Sequence, residues 1–284
     1  MEKSDRGRGD LWHQARVLLR LWGTTFDYVF ELGDGHRARL FAMLTRTRRL
    51  YSVKPSSPLR GMAARRFTVA TFDWQTLPPH REGFRSVSEF LPLPEPIPPM
   101  LFDAGRAQPW PAAESLGGFA VVQVGTRQGF NRWNRDGWLH VGRGLLGRFP
   151  NLVITCGPAA QEREEAAWLQ RQLGNCTLST DGATTWPQMA WLLRRAQLYV
   201  GPNTAAMHLA AACGCPVVAL FGPSIEDHWH PWRVPYRIVT TPGYKPLPDP
   251  AQRYARVKQR TMEEIQPRQV LAACEELLNE VCFL

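Results

Sequence analysis

No stretch of the 284 residues approaches the roughly 20 consecutive apolar residues that a membrane-spanning helix needs. A secretory leader is not expected either: Met1 to Asp10 is dense in charge, and no apolar run follows it. The cysteines form no CxxC pair and lack the spacing of a secreted disulfide framework, so Cys156, Cys176, Cys213, Cys215, Cys274 and Cys282 read as reduced thiols. Cys213-Gly-Cys215 reads as small core residues rather than a metal pair, and no metal is expected. Negative charge is in deficit, with 25 Asp and Glu against 34 Lys and Arg, a formal charge of +9. That balance favours an anionic partner. Nucleic acid is disfavoured, because the basic residues are scattered and there is neither a compact Lys/Arg tract nor an aromatic RNA-binding signature. Nucleotide-sugars and phosphorylated lipids remain. A cytoplasmic location follows, with peripheral contact at the inner face of the cytoplasmic membrane left open by the positive charge.

What is present is alternation, and one stretch organises it. Leu198 to Val200 and Val217 to Phe221 are short apolar runs bounded by Gly and Pro, as buried parallel strands are. Between them Thr204 to Cys213 is Ala-rich, with Gly214 and Pro216 placed to end a helix. Asn203 or Thr204 is suited to cap it. The unit is βαβ, and the helix opens at the carboxyl end of a strand, where α/β sheets bind anions. Gly222-Pro223-Ser224 leaves the next strand on the same edge.

Earlier in the chain, Asp10 to Trp22 has helical spacing, Phe26 to Leu32 reads as a strand, Arg37 to Thr45 as a helix and Leu50 to Val53 as a strand. Ser56 to Arg81 is poorly patterned, and Phe84 to Leu91 suits a helix. Leu91 to Pro99 holds five prolines and reads as a stiff connection. Past it the periods predict strands over Phe119 to Val124, Leu152 to Cys156 and Ile238 to Thr241. Helices are predicted over Asp136 to Phe149, Gln161 to Leu173, Trp186 to Arg195 and Glu263 to Val281, the last with Val270, Leu271, Cys274, Leu277 and Leu278 on one face. A Pro-rich excursion runs through Pro250.

The stretch from Val200 to Pro223 resembles the signature of glycosyltransferase family 9, the ADP-heptose:lipopolysaccharide heptosyltransferases. Thr204, His208, Leu209, Ala210, Ala211, Gly214, Pro216 and Phe221-Gly222-Pro223 match it. Asn203 stands where the family usually has Asp, and Ala205 where it has Gly. The loop Gly125 to Trp133 resembles a second family segment, with Asn131 where a donor-contacting Lys is usual. The resemblance implies an α/β fold of the GT-B type, two Rossmann-like lobes with parallel sheets, the N-terminal lobe abbreviated. Residues 1–107 would form a partial acceptor-side domain with the Pro-rich linker. Residues 108–284 would form the nucleotide-sugar donor domain, its closing helix packing back on the N-terminal half.

The implied activity is inverting, metal-independent transfer of heptose from ADP-heptose, without a cofactor, to a lipopolysaccharide core or other lipid-linked glycan. Departure of a diphosphate needs its growing charge stabilised. Backbone amides of Asn203, Thr204, Ala205 and Ala206 at the helix start, with Met207 and His208 behind them, suit that task. The Thr204 hydroxyl, Thr126, Arg127, Arg132 and the Gly222-Pro223 turn complete the expected donor site. His208 is read as orienting rather than catalytic. Glu226 and Asp227 are candidate ribose or sugar-hydroxyl partners, and His228-Trp-His230 lacks a third metal ligand. The catalytic residue is unknown. The family places a base Asp in a Gly-Asp loop after its first strand, whereas Arg8-Gly9-Asp10 follows charged residues and reads as a helix-capping turn. A non-catalytic homologue that binds a nucleotide-sugar or glycan is therefore the alternative. An epimerase on the same architecture is disfavoured for want of paired carboxylates.

Overall fold

The computed structural model describes residues 9–33, 35–53, 58–70, 79–94, 96–241 and 260–282. Two units, each built on parallel strands, divide between Ile97 and Pro98. That division lies ten residues before the expected 107/108 boundary, for a local reason. Within the second unit the Phe102 amide donates to the Ala212 carbonyl at 3.0 Å, the Gln108 amide to Pro187 at 3.1 Å, and the Trp232 indole to Pro98 at 3.0 Å.

The first unit begins with α1 (Gly9–Gly23), then β1 (Thr25–Phe26), β2 (Val29–Glu31), α2 (His36–Met43), β3 (Arg46–Thr47) and β4 (Leu50–Ser52). It continues through α3 (Gly61–Arg66), β5 (Phe67–Val69) and α4 (Pro79–Ser88). The single strand expected over Phe26 to Leu32 is two strands, because Thr25–Phe26 pairs with β3 and Val29–Glu31 with β4. β5, hidden in the poorly patterned stretch, completes a parallel sheet in the order β2-β4-β5. Its small core joins Ala42, Leu50 and Phe67. Glu31 ends β2 buried, accepting from Ser52 Oγ at 3.0 Å and the Gly33 amide at 2.9 Å, with Arg39 Nε at 3.5 Å. α1 already includes Gly9, so Asp10 lies inside the helix rather than capping it; residues 1–8 and the Asp10 side chain lie outside the described residues. α4 ends at Ser88 instead of Leu91, since a residue preceding proline is pushed out of the helical region.

The second unit carries β6 (Phe119–Gln123), α5 (Arg135–Leu146), β7 (Asn151–Thr155), α6 (Ala160–Leu173), β8 (Thr177–Ser179) and α7 (Trp186–Arg195). β9 (Leu198–Pro202), α8 (Ala205–Ala212), β10 (Val217–Phe221), α9 (Glu226–Trp229), β11 (Tyr236–Thr240) and α10 (Pro267–Cys282) follow. All six strands are parallel in the order β8-β7-β6-β9-β10-β11. Continuous apolar runs are required because both faces are covered. Ala120, Val122, Leu152, Ile154, Leu198, Val200, Val218 and Leu220 face one core with Val141 and Leu145 of α5 and Leu277 of α10. The alternate residues Phe119, Val121, Val153, Tyr199, Val217, Ala219 and Phe221 face another, with Leu192 and Leu193 of α7 and Met207 and Ala210 of α8. The strand period of two thus assigns side chains to layers.

α10 starts at Pro267 rather than Glu263: Met262–Glu264 is a separate 3-10 turn, and proline suits the first helical position. Its buried face, Val270, Ala273, Cys274 and Leu277, is used inside its own unit, against α5, β10 and β11. The Pro-rich excursion through Pro250 lies outside the described residues.

Candidate functional site

In this strand order the chain reverses direction between β6 and β9, and the crevice outside the carboxyl ends of those two strands is where α/β sheets bind ligands. Both loops singled out in the sequence leave from that point. The first follows β6. Gln123, buried at the strand end, donates from Nε2 to the Gly125 carbonyl at 2.8 Å and accepts from Thr155 Oγ1 at 2.6 Å. Thr126 is buried, its hydroxyl accepting from the Gln128 amide at 3.3 Å. Asn134 caps α5 by accepting from the Gly137 amide at 2.7 Å, which fixes the far end of the loop.

The second loop follows β9. The Asn203 amide donates to Leu220 at 3.1 Å, pinning the turn to β10. Thr204 occupies the capping position of α8, but its hydroxyl makes no capping bond; it lies beside the buried Tyr199 phenol without a well-formed hydrogen bond. Burial raises the Tyr199 phenol well above its usual range, so it stays protonated. Ala205 is exposed and Ala206 buried, and as the first helical residues they have amides with no carbonyl a turn back inside the helix. The Met207 side chain is wholly buried in the core, and its amide donates to Thr204 at 3.1 Å.

The two loops meet at Asn131. This residue, 2% exposed, donates from Nδ2 to the Asn203 carbonyl at 3.3 Å and lies 3.3 Å from Gln128 Oε1. A lysine there would be a mobile charge; the asparagine is a strut. Arg132 is half-buried and donates to Gln161 Oε1 at 3.1 Å, while Arg127 is exposed on the same loop. Positive charge therefore sits on the loop without occupying the lysine position.

His208 lies one turn into α8, 6.0 Å from the Trp229 ring. Burial, then the nearby His230, holds it below its ordinary value, so the ring is neutral at pH 7. His230 stacks on Tyr236 at 5.6 Å, with Nδ1 2.8 Å from the Pro231 carbonyl. Gly222 is buried against Met262: a Cβ there would stand 2.8 Å from its Sδ. The turn at Gly222-Pro223 is thus a close-packing point as well as a rim.

Two residues redraw the expected picture. Glu226 is committed to the buried Arg260, which also donates to Thr240 Oγ1 and the Ser224 carbonyl. A buried guanidinium needs that counter-charge, which removes Glu226 as a ribose partner; the Asp227 side chain lies outside the described residues. Glu162, which no sequence motif marks, is a carboxylate between the carboxyl ends of β6 and β7. It is 7% exposed, in the first turn of α6, and accepts from the Gly157 amide at 3.0 Å. A Cβ at Gly125 would fall 2.5 Å from Glu162 Oε2, and one at Gly157 2.7 Å, so the two glycines at the ends of β6 and β7 admit it. Burial, then the Glu162 charge, pushes the neighbouring Cys156 thiol up to about 11, which excludes it as a thiolate nucleophile at neutral pH. The signal that could have found Glu162 is an acidic residue just past the Gly-Pro ending the second strand, a place where doubly wound sheets hold ribose. Among the described residues no group of three or more His, Cys, Asp or Glu is placed to hold a metal ion.

Comparison with known proteins gives the family and the fold. The profile of glycosyltransferase family 9 (heptosyltransferase) matches residues 65–256. Lipopolysaccharide heptosyltransferase 3 of Escherichia coli K12 is 29% identical over 166 residues, 57% of this chain and 47% of that protein. The chain therefore spans about half the length of the curated relatives it matches. A family 9 glycosyltransferase from Veillonella parvula superposes with a TM-score of 0.76 at 18% identity, over 96% of this chain and 80% of that one. ADP-heptose lipopolysaccharide heptosyltransferase II of E. coli superposes with a TM-score of 0.70 at 18% identity, over 95% and 82%. E. coli heptosyltransferase WaaC with ADP does so at 0.68 and 15%, over 97% and 80%. These likenesses show an α/β fold of the GT-B type. The profile covers well over half of the chain, and the chain belongs to glycosyltransferase family 9.

Proposed function

We propose that this chain handles the donor in transfer of heptose from ADP-heptose to a lipopolysaccharide core acceptor, by an inverting, metal-independent route. The observation that carries the reading is the Asn131–Asn203 strut, which joins the β6 and β9 loops across the switch point of the sheet. Each loop alone is common in α/β proteins; tied together there, they frame a crevice of the kind that takes a nucleotide. The amides of Ala205 and Ala206 would receive the diphosphate, with Arg127 and Arg132 adding positive charge as it departs. Glu162 would accept from ribose hydroxyls, and neutral His208 would orient the donor without acting as a base. Amides and guanidinium groups would thus supply the charge stabilisation that a metal gives elsewhere. Deprotonation of the acceptor is a separate task, which family resemblance assigns to a Gly-Asp loop.

The test is incubation of the purified chain with ADP-heptose and a heptose-deficient lipopolysaccharide core, in the presence of chelator. The expected result is release of ADP matched by a gain of one heptose on the acceptor. Tight binding of ADP-heptose with no ADP release would place the chain with the non-catalytic homologues, and no binding of any nucleotide would end the donor reading.

A further inference from the structure

The first unit presents an apolar helix face within a collar of positive charge. Trp12, Leu19 and Trp22 of α1 are 75%, 66% and 56% exposed. At roughly 100° per residue they fall within one arc of about 80°, with Arg16 and Arg20 beside its Trp12 edge. The Arg46 guanidinium lies over the Trp22 ring at 5.7 Å, which brings β3 to the end of this face. Arg66 donates to the Thr47 carbonyl at 3.4 Å and so adds the end of α3 to the same neighbourhood.

Charge over the surrounding segment is one-sided. Between residues 12 and 66 there are eleven Lys or Arg and three Asp or Glu. Nine of those arginines are exposed, whereas Glu31 is buried and paired with Arg39, leaving Asp27 as the exposed carboxylate among the described residues of the segment. Indole and leucyl side chains alone would suit any apolar partner. A collar of arginine with almost no acid selects an anionic one, and amphipathic helices with tryptophan beside arginine settle at the headgroup boundary of anionic bilayers.

We propose that α1 and its arginine collar dock on an anionic lipid surface, with Trp12, Leu19 and Trp22 entering the headgroup layer. The surface belongs to the first unit and does not depend on the donor reading. It is tested by flotation of the purified chain with vesicles of phosphatidylglycerol and phosphatidylethanolamine, against vesicles of phosphatidylcholine. Binding to the anionic vesicles is expected to be at least ~10-fold tighter, and to weaken with salt. Trp12→Ser/Leu19→Ser should weaken it by at least ~10-fold, and Arg16→Gln/Arg20→Gln by about fivefold per charge. Trp186→Ser, at an exposed tryptophan of the second unit, should leave it unchanged. All of these positions are exposed, and circular dichroism checks that each variant folds. Equal binding to both vesicle types overturns the proposal. So does unchanged binding of Trp12→Ser/Leu19→Ser, which would mean polyelectrolyte attraction alone. Sedimentation that shows a dimer dispersed by Trp12→Ser/Leu19→Ser, with vesicle binding intact, would assign the face to a second copy of the chain instead.

Discussion

Replacing Arg260 with alanine is expected to lower the melting temperature by about 10 °C, the equivalent of roughly 3 kcal/mol in a unit of this size. Its side chain is 4% exposed and that of Glu226 16%, so the pair lies largely out of water. Removing the guanidinium leaves a carboxylate half-enclosed, and also leaves Thr240 Oγ1 and the Ser224 carbonyl without the donor that ties them together. Breaking one side of a buried pair costs more than the pair is worth, because the remaining charge cannot regain its hydration. Arg260→Lys should fall between, since an ammonium keeps the charge but lacks the fork that reaches three acceptors. Arg163, exposed and paired bidentately with Asp181, is the contrast: Arg163→Ala should leave the melting temperature unchanged, because water screens and replaces the interaction. Thermal scans of the three variants decide the matter, and equal effects at Arg260 and Arg163 would contradict the buried-clamp account.

Gly125→Ala should weaken ADP binding about thirtyfold, a loss of about 2 kcal/mol if one hydrogen bond to a charged group is forfeited. The added methyl meets Glu162 Oε2 at 2.5 Å, Cys156 Cβ at 2.8 Å and Cys156 Cα at 3.0 Å. The backbone atom cannot rotate away, so the carboxylate must, and the crevice loses its ribose acceptor. Overpacking should also cost about 1–3 kcal/mol of stability. Gly129→Ala lies on the same loop with nothing within 4 Å of its Cβ, and should change neither quantity. Calorimetric titration of both variants with ADP measures the difference. Equal affinities would mean that Glu162 does not touch the nucleotide.

The sequence showed the second unit well because its strands are buried on both faces. Phe119 to Val124, Leu152 to Cys156 and Val217 to Phe221 needed no partner information to be read as strands, and each lies within a residue of its place in the structure. β8 escaped notice: Thr177-Leu-Ser179 is a short edge strand with only Thr177 buried, so no apolar run marks it. In the first unit, β5 and the break between β1 and β2 depend on which strand pairs with which, information that periodicity does not carry. At the candidate site the loops were legible, since Gly, Asn and Thr at strand ends announce turns. The roles within them were not. Asn131 stands in sequence where the family has a lysine, but its side chain braces Asn203, and Glu226, a candidate ligand by position, is held by Arg260, 34 residues away. Glu162 hid among the acids of α6, where only its burial between two glycines separates it from Glu164, which pairs with Arg135 at the surface.

The central claim is that a nucleotide-sugar lies at the switch point between β6 and β9. The most direct test is a crystal structure of the chain grown with ADP-heptose. The account predicts the diphosphate against the amides of Ala205 and Ala206, with the ribose beside Glu162. A nucleotide ordered anywhere else, or an empty crevice at a concentration that saturates binding in solution, would contradict it.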